Sequence, residues 1–379
     1  MTSKDIVEIT QTSAKSGGFI TSDGGSSIIE CGICWSTDTL PTINDNKTID
    51  SLGNGGFTSS ITNLKSKTIY YIRAYATNKI GTGYGLTKKI TTLGTVPVLK
   101  TSNSSITGNT VICGGNITNN GGESVVVRGV CWSTDTLPTI NDNKTIDSLG
   151  NGLFVSSIKN LTPNTTYYIK AYASNSIGTG YGNTIIIVSD VEGNLYNSIS
   201  IGNQIWMKEN LKTTLYNDGS SIPNIKDSLM WYNSTTPAYC WYRNELKNKE
   251  IYGGLYNWYS VNTGKLCPIG WHVPTETEWN SFMNFLGGRE FIGGKLMEIG
   301  TSHWINNNIS DNSSGFTALP GGYIYNKFYG LGEQGNWWSS TSGNGINNGW
   351  AFTIWDNYIV TSFGVGPAND GFSVRCIKD

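Results

Sequence analysis

The sequence predicts a multidomain protein in which two all-β sandwiches are followed by an α+β domain, and three observations lead there. A long block occurs twice in the first half of the chain, the composition is that of strands and turns, and near residue 190 the repeat ends as tryptophan becomes abundant. These place two similar domains at residues 1–94 and 95–189 and a different one at residues 190–379.

The repeat is direct. Residues 34–55 read CWSTDTLPTINDNKTIDSLGNG and residues 131–152 are identical, an offset of 97 residues. The same offset carries YYIRAYATNKIGTGYG at 70–85 onto YYIKAYASNSIGTGYG at 167–182. A repeat of this length, with short alternating runs split by Gly, Asn and Asp turns, describes a β-sandwich and not a solenoid of small units. In residues 71–76 the side chains alternate in character, as a half-buried strand requires. Leu161-Thr-Pro-Asn-Thr-Thr-Tyr167 has the form of a tyrosine corner, in which the ring enters the core and the hydroxyl caps nearby backbone. The first copy keeps Leu64 and Tyr70 but has Ser66 where the second has Pro163. Trp35 and Trp132 occupy one repeat position and are read as core residues.

These features resemble the immunoglobulin/fibronectin III-like modules common in surface proteins of the Bacteroidota, whose last strands read NxxGxGYG, as residues 78–85 and 175–182 do. The resemblance covers residues 5–188 and implies spacers that hold the C-terminal domain away from an anchor.

Eleven of the thirteen tryptophans lie beyond residue 190. Residues 191–196 and 199–207 read as a hairpin split at Asn197-Ser198 and closed by a Gly202-Asn203 turn. The clearest helix starts at Pro274-Thr-Glu-Thr-Glu-Trp: Thr275 and Glu278 form a capping box, and both glutamates meet the positive end of the helix dipole. Trp279, Phe282, Met283 and Leu286 then share a face, and Gly287-Gly288 ends the helix. A weaker helical segment is expected at residues 295–299, and strands at 350–360 and 372–377.

Several motifs in order are similar to the family called the Fibrobacter succinogenes major paralogous domain: GNQIWMKENLKTT at 202–214, YGGLYNWYSV at 252–261, GKLCPIGWHVPTETEW at 264–279, GFTALPGGY at 315–323, WWSST at 337–341 and GFSVRCIKD at 371–379. The resemblance implies a C-type-lectin-like fold close to the formylglycine-generating group. It also implies a disulfide between Cys267 and Cys376, which that fold places at its two ends.

Enzymatic chemistry finds little support. The formylglycine-generating relatives oxidise cysteine with a thiol pair and copper, and no cysteine lies between Cys267 and Cys376. His272 and His303, the only histidines, are too few for a histidine-rich metal site. No paired-carboxylate or Ser/His/Asp arrangement is recognisable. Cys31 and Cys34 form one CxxC, but the second copy has Arg128 in place of Cys31, so these cysteines read as small buried hydrophobes. No catalytic residue, cofactor or metal site is assigned; Trp355-Asp356-Asn357 is only a faint echo of the calcium-lectin triplet Trp-Asn-Asp.

Binding is the favoured role. Exposed aromatic rings framed by polar groups stack on sugars or anchor protein partners, and residues 337–363 supply that chemistry. The candidate ligand-binding residues are Asn347, Asn348, Trp350, Trp355, Asn357, Tyr358 and Phe363. Within the run, Trp350, Phe352 and Ile354 share one face and Thr353, Trp355 and Asn357 the other; one of the two is core. Heads of this kind serve as variable display scaffolds, including as targets of diversity-generating retroelements, and the Asn-rich stretch 344–357 stands where variation would fall.

A surface glycan or protein receptor is the expected partner. With 14% charged residues and a net charge of -1, nucleic acid is not. No run of eighteen apolar residues exists to insert into a membrane. The first ten residues lack the apolar core of a signal peptide, which leaves two routes to an extracellular surface: a bacterial cell-surface protein whose leader is trimmed, or a phage virion fibre or decoration subunit assembling with other virion subunits.

Overall fold

The computed structural model describes residues 1–50, 55–306, 309–343, 345, 347–356 and 358–379. In the first copy, the strand Ala14–Ile20 pairs with Gly55–Ile61 on one side and with Thr2–Ser3 at the edge on the other. They face a second sheet built on Glu30–Ser36 and Ile69–Thr77. The second copy repeats this with Thr110–Asn119 and Gly152–Ile158 against Val127–Ser133 and Thr166–Ser174. Both are two-sheet β-sandwiches.

Alternation makes the core. Tyr70, Ile72 and Ala74 point inward from one strand to meet Ala14, Ile33 and Ile61. Paired strands of the first sheet in each copy come close enough to demand glycine at Gly17 and Gly114, where a Cβ would sit 2.1 and 2.0 Å from the carbonyl oxygens of Phe57 and Phe154 on the neighbouring strand. Both copies carry the tyrosine corner: the amide of Lys65 donates to the Tyr70 hydroxyl and that of Thr162 to the Tyr167 hydroxyl, each at 3.0 Å. Trp35 and Trp132 pack partly buried against the two cores. Cys31, Cys34, Cys113, Cys131 and Cys240 are buried outside any disulfide among the described residues, and burial raises each thiol.

The corner also makes the joints. Lys67 and Asn164 hold the same repeat position, both with positive φ (46° and 55°), and each touches the domain that follows. Lys67 Nζ pairs with Glu123 at 2.8 Å. Asn164 Nδ2 donates to the Asn217 carbonyl at 2.9 Å, and its Oδ1 accepts from the Ile269 amide at 3.1 Å.

At residue 190 the structure departs from the expected hairpin. Leu195–Ile201 is one strand running straight through Asn197-Ser198. It pairs on one side with Ile185–Ser189, the last strand of the second sandwich, and on the other with Gln204–Met207. Asn197 stays in the ladder because its amide groups are satisfied: its N and Nδ2 donate to Glu209 and its Oδ1 accepts from Ser104. The sandwich sheet therefore continues into the C-terminal domain, through Ile377–Lys378 to Trp271–His272. Cys267 and Cys376 are bridged beside this sheet, with Cα atoms 6.0 Å apart.

The rest of the domain is α+β, with few helices and many strands. Glu276–Leu286 starts on the Thr275/Glu278 capping box and ends on left-handed Gly287. It buries Trp279, Phe282 and Met283. The expected helix at 295–299 is instead one turn, Gly293–Leu296, after which Met297 bridges to Ala318. A five-stranded sheet and a separate three-stranded sheet complete the domain. Nine of its eleven tryptophans are buried; only Trp350 and Trp355 are not.

Candidate functional site

The three-stranded sheet, Gln334–Ser342, Asn348–Trp355 and Ser362–Pro367, has two unlike faces. Register sets Trp337 opposite Phe352 and Phe352 opposite Phe363, an apolar cross-strand row. Phe352 stacks on Trp279 of the long helix at 4.7 Å, so this face is core. One residue along, Asn336 lies opposite Thr353 and Thr353 opposite Ser362, a polar row on the other face. The two rows follow from the period of two along each strand.

The polar row floors a cleft of about 290 Å³, close to the lower bound for small-ligand sites. Tyr323 and Phe372 wall it, their rings 6.0 Å apart, and Tyr323 is stacked on Tyr329 at 5.2 Å. Asp370 enters from the turn after Ser362–Pro367. That turn is pinned: the Asp370 amide donates to the Pro367 carbonyl, Trp231 Nε1 to the Asn369 carbonyl, and Asn369 Nδ2 to the Tyr232 carbonyl.

Two polar groups here lack partners. Asn336 is 1% exposed; its Oδ1 accepts from Gln334 Nε2 at 2.8 Å and Thr353 Oγ1 at 3.0 Å, yet its Nδ2 has no hydrogen-bond partner. Leaving such an atom unmade costs about 1–3 kcal/mol. The Asp370 carboxylate has no hydrogen bond or ion pair among the described residues, and burial alone pushes its pKa up to about 7. Burial, reinforced by the Asp370 charge, also raises the Tyr323 hydroxyl. A carboxyl group perturbed by desolvation inside a cleft marks a functional-site candidate.

The residues singled out in the sequence do not converge on one place. Trp350 and Phe363 meet, stacked at 5.2 Å, but at the edge of the core face. Trp355 lies on the cleft side, paired with Gln334. Tyr358 is exposed, its carbonyl against Gly293. Asn347 and Asn348 sit at the opposite end of the central strand, where the Asn347 carbonyl accepts from the Ala368 amide and Asn348 pairs with Pro367. Asn357 lies outside the described residues, as do Asn344 and Ile346 of the Asn-rich stretch. Asn336 and Asp370 were missed. Asp370 sits in Asn-Asp-Gly, which reads as an ordinary turn; the available signal was polar alternation at Gln334 and Asn336 beside two tryptophans.

A larger cleft of about 450 Å³ lies between the turn at Gly108 and the C-terminal domain. Several of its charges are engaged structurally: Lys212 pairs with Glu250 and Glu209 holds Asn197. Arg375, drawn down to about 9 by burial, is held by Asn210 and Phe316. His272 bridges Glu278 and Asp379, and His303 bonds Glu298. Among the described residues no group of three or more His, Cys, Asp or Glu side chains could hold a metal ion. No described helix is long and apolar enough to cross a membrane.

Residues 199–378 match the Fibrobacter succinogenes major domain. A crystal structure of the FN1–FN3 domains of chicken CNTN1 is similar at 16% identity, covering 57% of this chain and 76% of that one with a TM-score of 0.32. No curated protein matches the sequence.

Proposed function

We propose that this chain, whose residues 199–378 form a Fibrobacter succinogenes major domain, is a non-enzymatic binding protein displayed on an extracellular surface. The two sandwiches are the stalk and the C-terminal domain is the head. The observation that carries the reading is the cleft on the three-stranded sheet, where Asp370 and the Asn336 amide are fixed without partners. Rigid polar groups aimed at a ligand need no reorganisation on binding, which is how a small cleft attains affinity.

The same cleft is poorly equipped for catalysis. Asp370 is the only carboxylate among its lining residues, and no histidine, cysteine or lysine lines it, so neither a carboxylate pair nor a nucleophile and base are at hand. The bridged cysteines favour an exported chain over one matured in a reducing cytoplasm. That supports the cell-surface reading over the virion one.

The test is retention under flow of beads coated with the full chain on surfaces of cell-wall polysaccharide, capsule or mucin-type glycoprotein. Specific retention that Gly364→Trp abolishes is expected, because Gly364 lines the cleft and a Cβ there meets no atom within 4 Å, which leaves room to start a bulky side chain that occupies the cleft. Equal retention of parent and variant contradicts the assignment to the cleft. No retention on any surface contradicts the binding function.

A further inference from the structure

We propose that the cleft takes a neutral sugar unit, held through its hydroxyl groups without a metal ion. This rests on the binding reading above and names the chemistry of its ligand.

The argument is one of matching donors and acceptors. Asp370 presents acceptors, and Asn336 Nδ2 is a donor left without an acceptor. An ammonium or guanidinium group would satisfy the carboxylate and leave the amide as it is, because those cations carry no acceptor. An anion would accept from the amide and be repelled by Asp370, and no lysine, arginine or histidine lines the cleft to offset that charge. A hydroxyl group both donates and accepts. Two neighbouring hydroxyls of one ring can donate to the carboxylate while an oxygen accepts from the amide. Reversing the Asn336 amide leaves an oxygen at the same place, which a hydroxyl satisfies equally well.

The walls agree with this. A pyranose has one polar edge and apolar C–H faces, and an aromatic wall suits such a face. Tyr323 and Phe372 supply that wall beside the polar row of Asn336, Thr353 and Ser362. Calcium-mediated sugar binding needs six to eight oxygen ligands, several of them carboxylates. The cleft has one carboxylate, so the protein itself supplies the hydrogen bonds.

The experiment is saturation-transfer NMR and titration of the full chain with methyl glycosides of neutral hexoses, pentoses and deoxyhexoses. Methyl glycosides of hexuronic acids and of amino sugars, and the simple amine cadaverine, are run in parallel. Saturable binding of at least one neutral glycoside is expected, with a dissociation constant on the order of 1 mM for a single unit. It is expected unchanged in EDTA, weakened about tenfold or more by Asp370→Asn and lost in Gly364→Trp. Thermal melting of both variants confirms that the head is folded. Binding confined to amines or uronates, loss in EDTA, equal binding by both variants, or no binding by any glycoside each overturns the proposal. Bead retention that persists in any of these cases leaves the binding function standing, so the two readings fail separately.

Discussion

Val188 and Tyr196 lie directly opposite each other in one antiparallel ladder, and both side chains enter the core of the head. Their ladder neighbours Ile187 and Leu195 point the other way, into the core of the second sandwich. One hairpin thus serves two cores, and its turn is held by Asp190, whose carboxylate accepts from the Glu192 and Asn194 amides and from the Tyr196 hydroxyl. The Trp271 indole adds a bond to Thr166 across the same joint. Between the two sandwiches no comparable ladder exists among the described residues.

The two joints should therefore differ in stiffness. Spin-label pairs at the exposed positions Leu40 and Leu137 report the first, and Leu137 and Leu246 the second. Double electron–electron resonance is expected to show a broad distance distribution for the first pair and a narrow one for the second. Equal widths would contradict a continuous sheet at the second joint.

Asp370 should cost stability. Burial raises its folded-state pKa from 3.8 to about 7, so the folded chain holds a proton that the unfolded chain has released. Its contribution is neutral below about pH 4 and increasingly unfavourable as pH rises through 7. Asp370→Asn is expected to stabilise the head at pH 8 by about 1–2 kcal/mol and to remove this part of the pH dependence, as read by chemical denaturation. A variant more stable yet unable to bind is the signature of a group kept for function. A destabilised variant would mean that Asp370 has a structural partner.

Much of this architecture was legible in the sequence, because its signals are local. The repeat shows as verbatim identity at a 97-residue offset, and the tyrosine corners and the Thr275/Glu278 box each sit within a few residues of their own partners. Resemblance supplied the Cys267–Cys376 bridge. The joint at 190 was not legible: Asn197-Ser198 looks like a turn, and only the distant partners Glu209 and Ser104 keep it in a strand. The site was half legible. Alternation separated Trp350, Phe352 and Ile354 from Thr353 and Trp355, but which face was buried depended on Trp279, far away in sequence. Asn336 and Asp370 matter because their partners are missing, and a missing partner is a property of three dimensions.

His272 makes stability fall with rising pH in the same sense, over a higher range. Its hydrogen bond with Glu278, helped by that with Asp379, raises it to about 9 against burial. A raised histidine stabilises fully below its unfolded value near 6.5, and that stabilisation is lost as pH rises toward 9. With the imidazole 38% exposed, screening reduces the effect to about 1 kcal/mol. His272→Gln should flatten stability between pH 6.5 and 9; an unchanged slope would refute the assignment.

The bridge between Cys267 and Cys376 closes a separation of 109 residues. Replacing both with alanine is expected to lower head stability by about 3 kcal/mol and leave the first sandwich's unfolding transition in place. Calorimetry resolves the two, and a shift shared by every transition would contradict their independence.

Hydrogen–deuterium exchange of the full chain, free and saturated with whichever surface polysaccharide retains the coated beads, tests the central claim most directly. The account predicts protection at residues 334–336, 351–353 and 362–370, with none in the sandwiches. Protection confined to the sandwiches, or absent from residues 334–336 and 364–370, would contradict it.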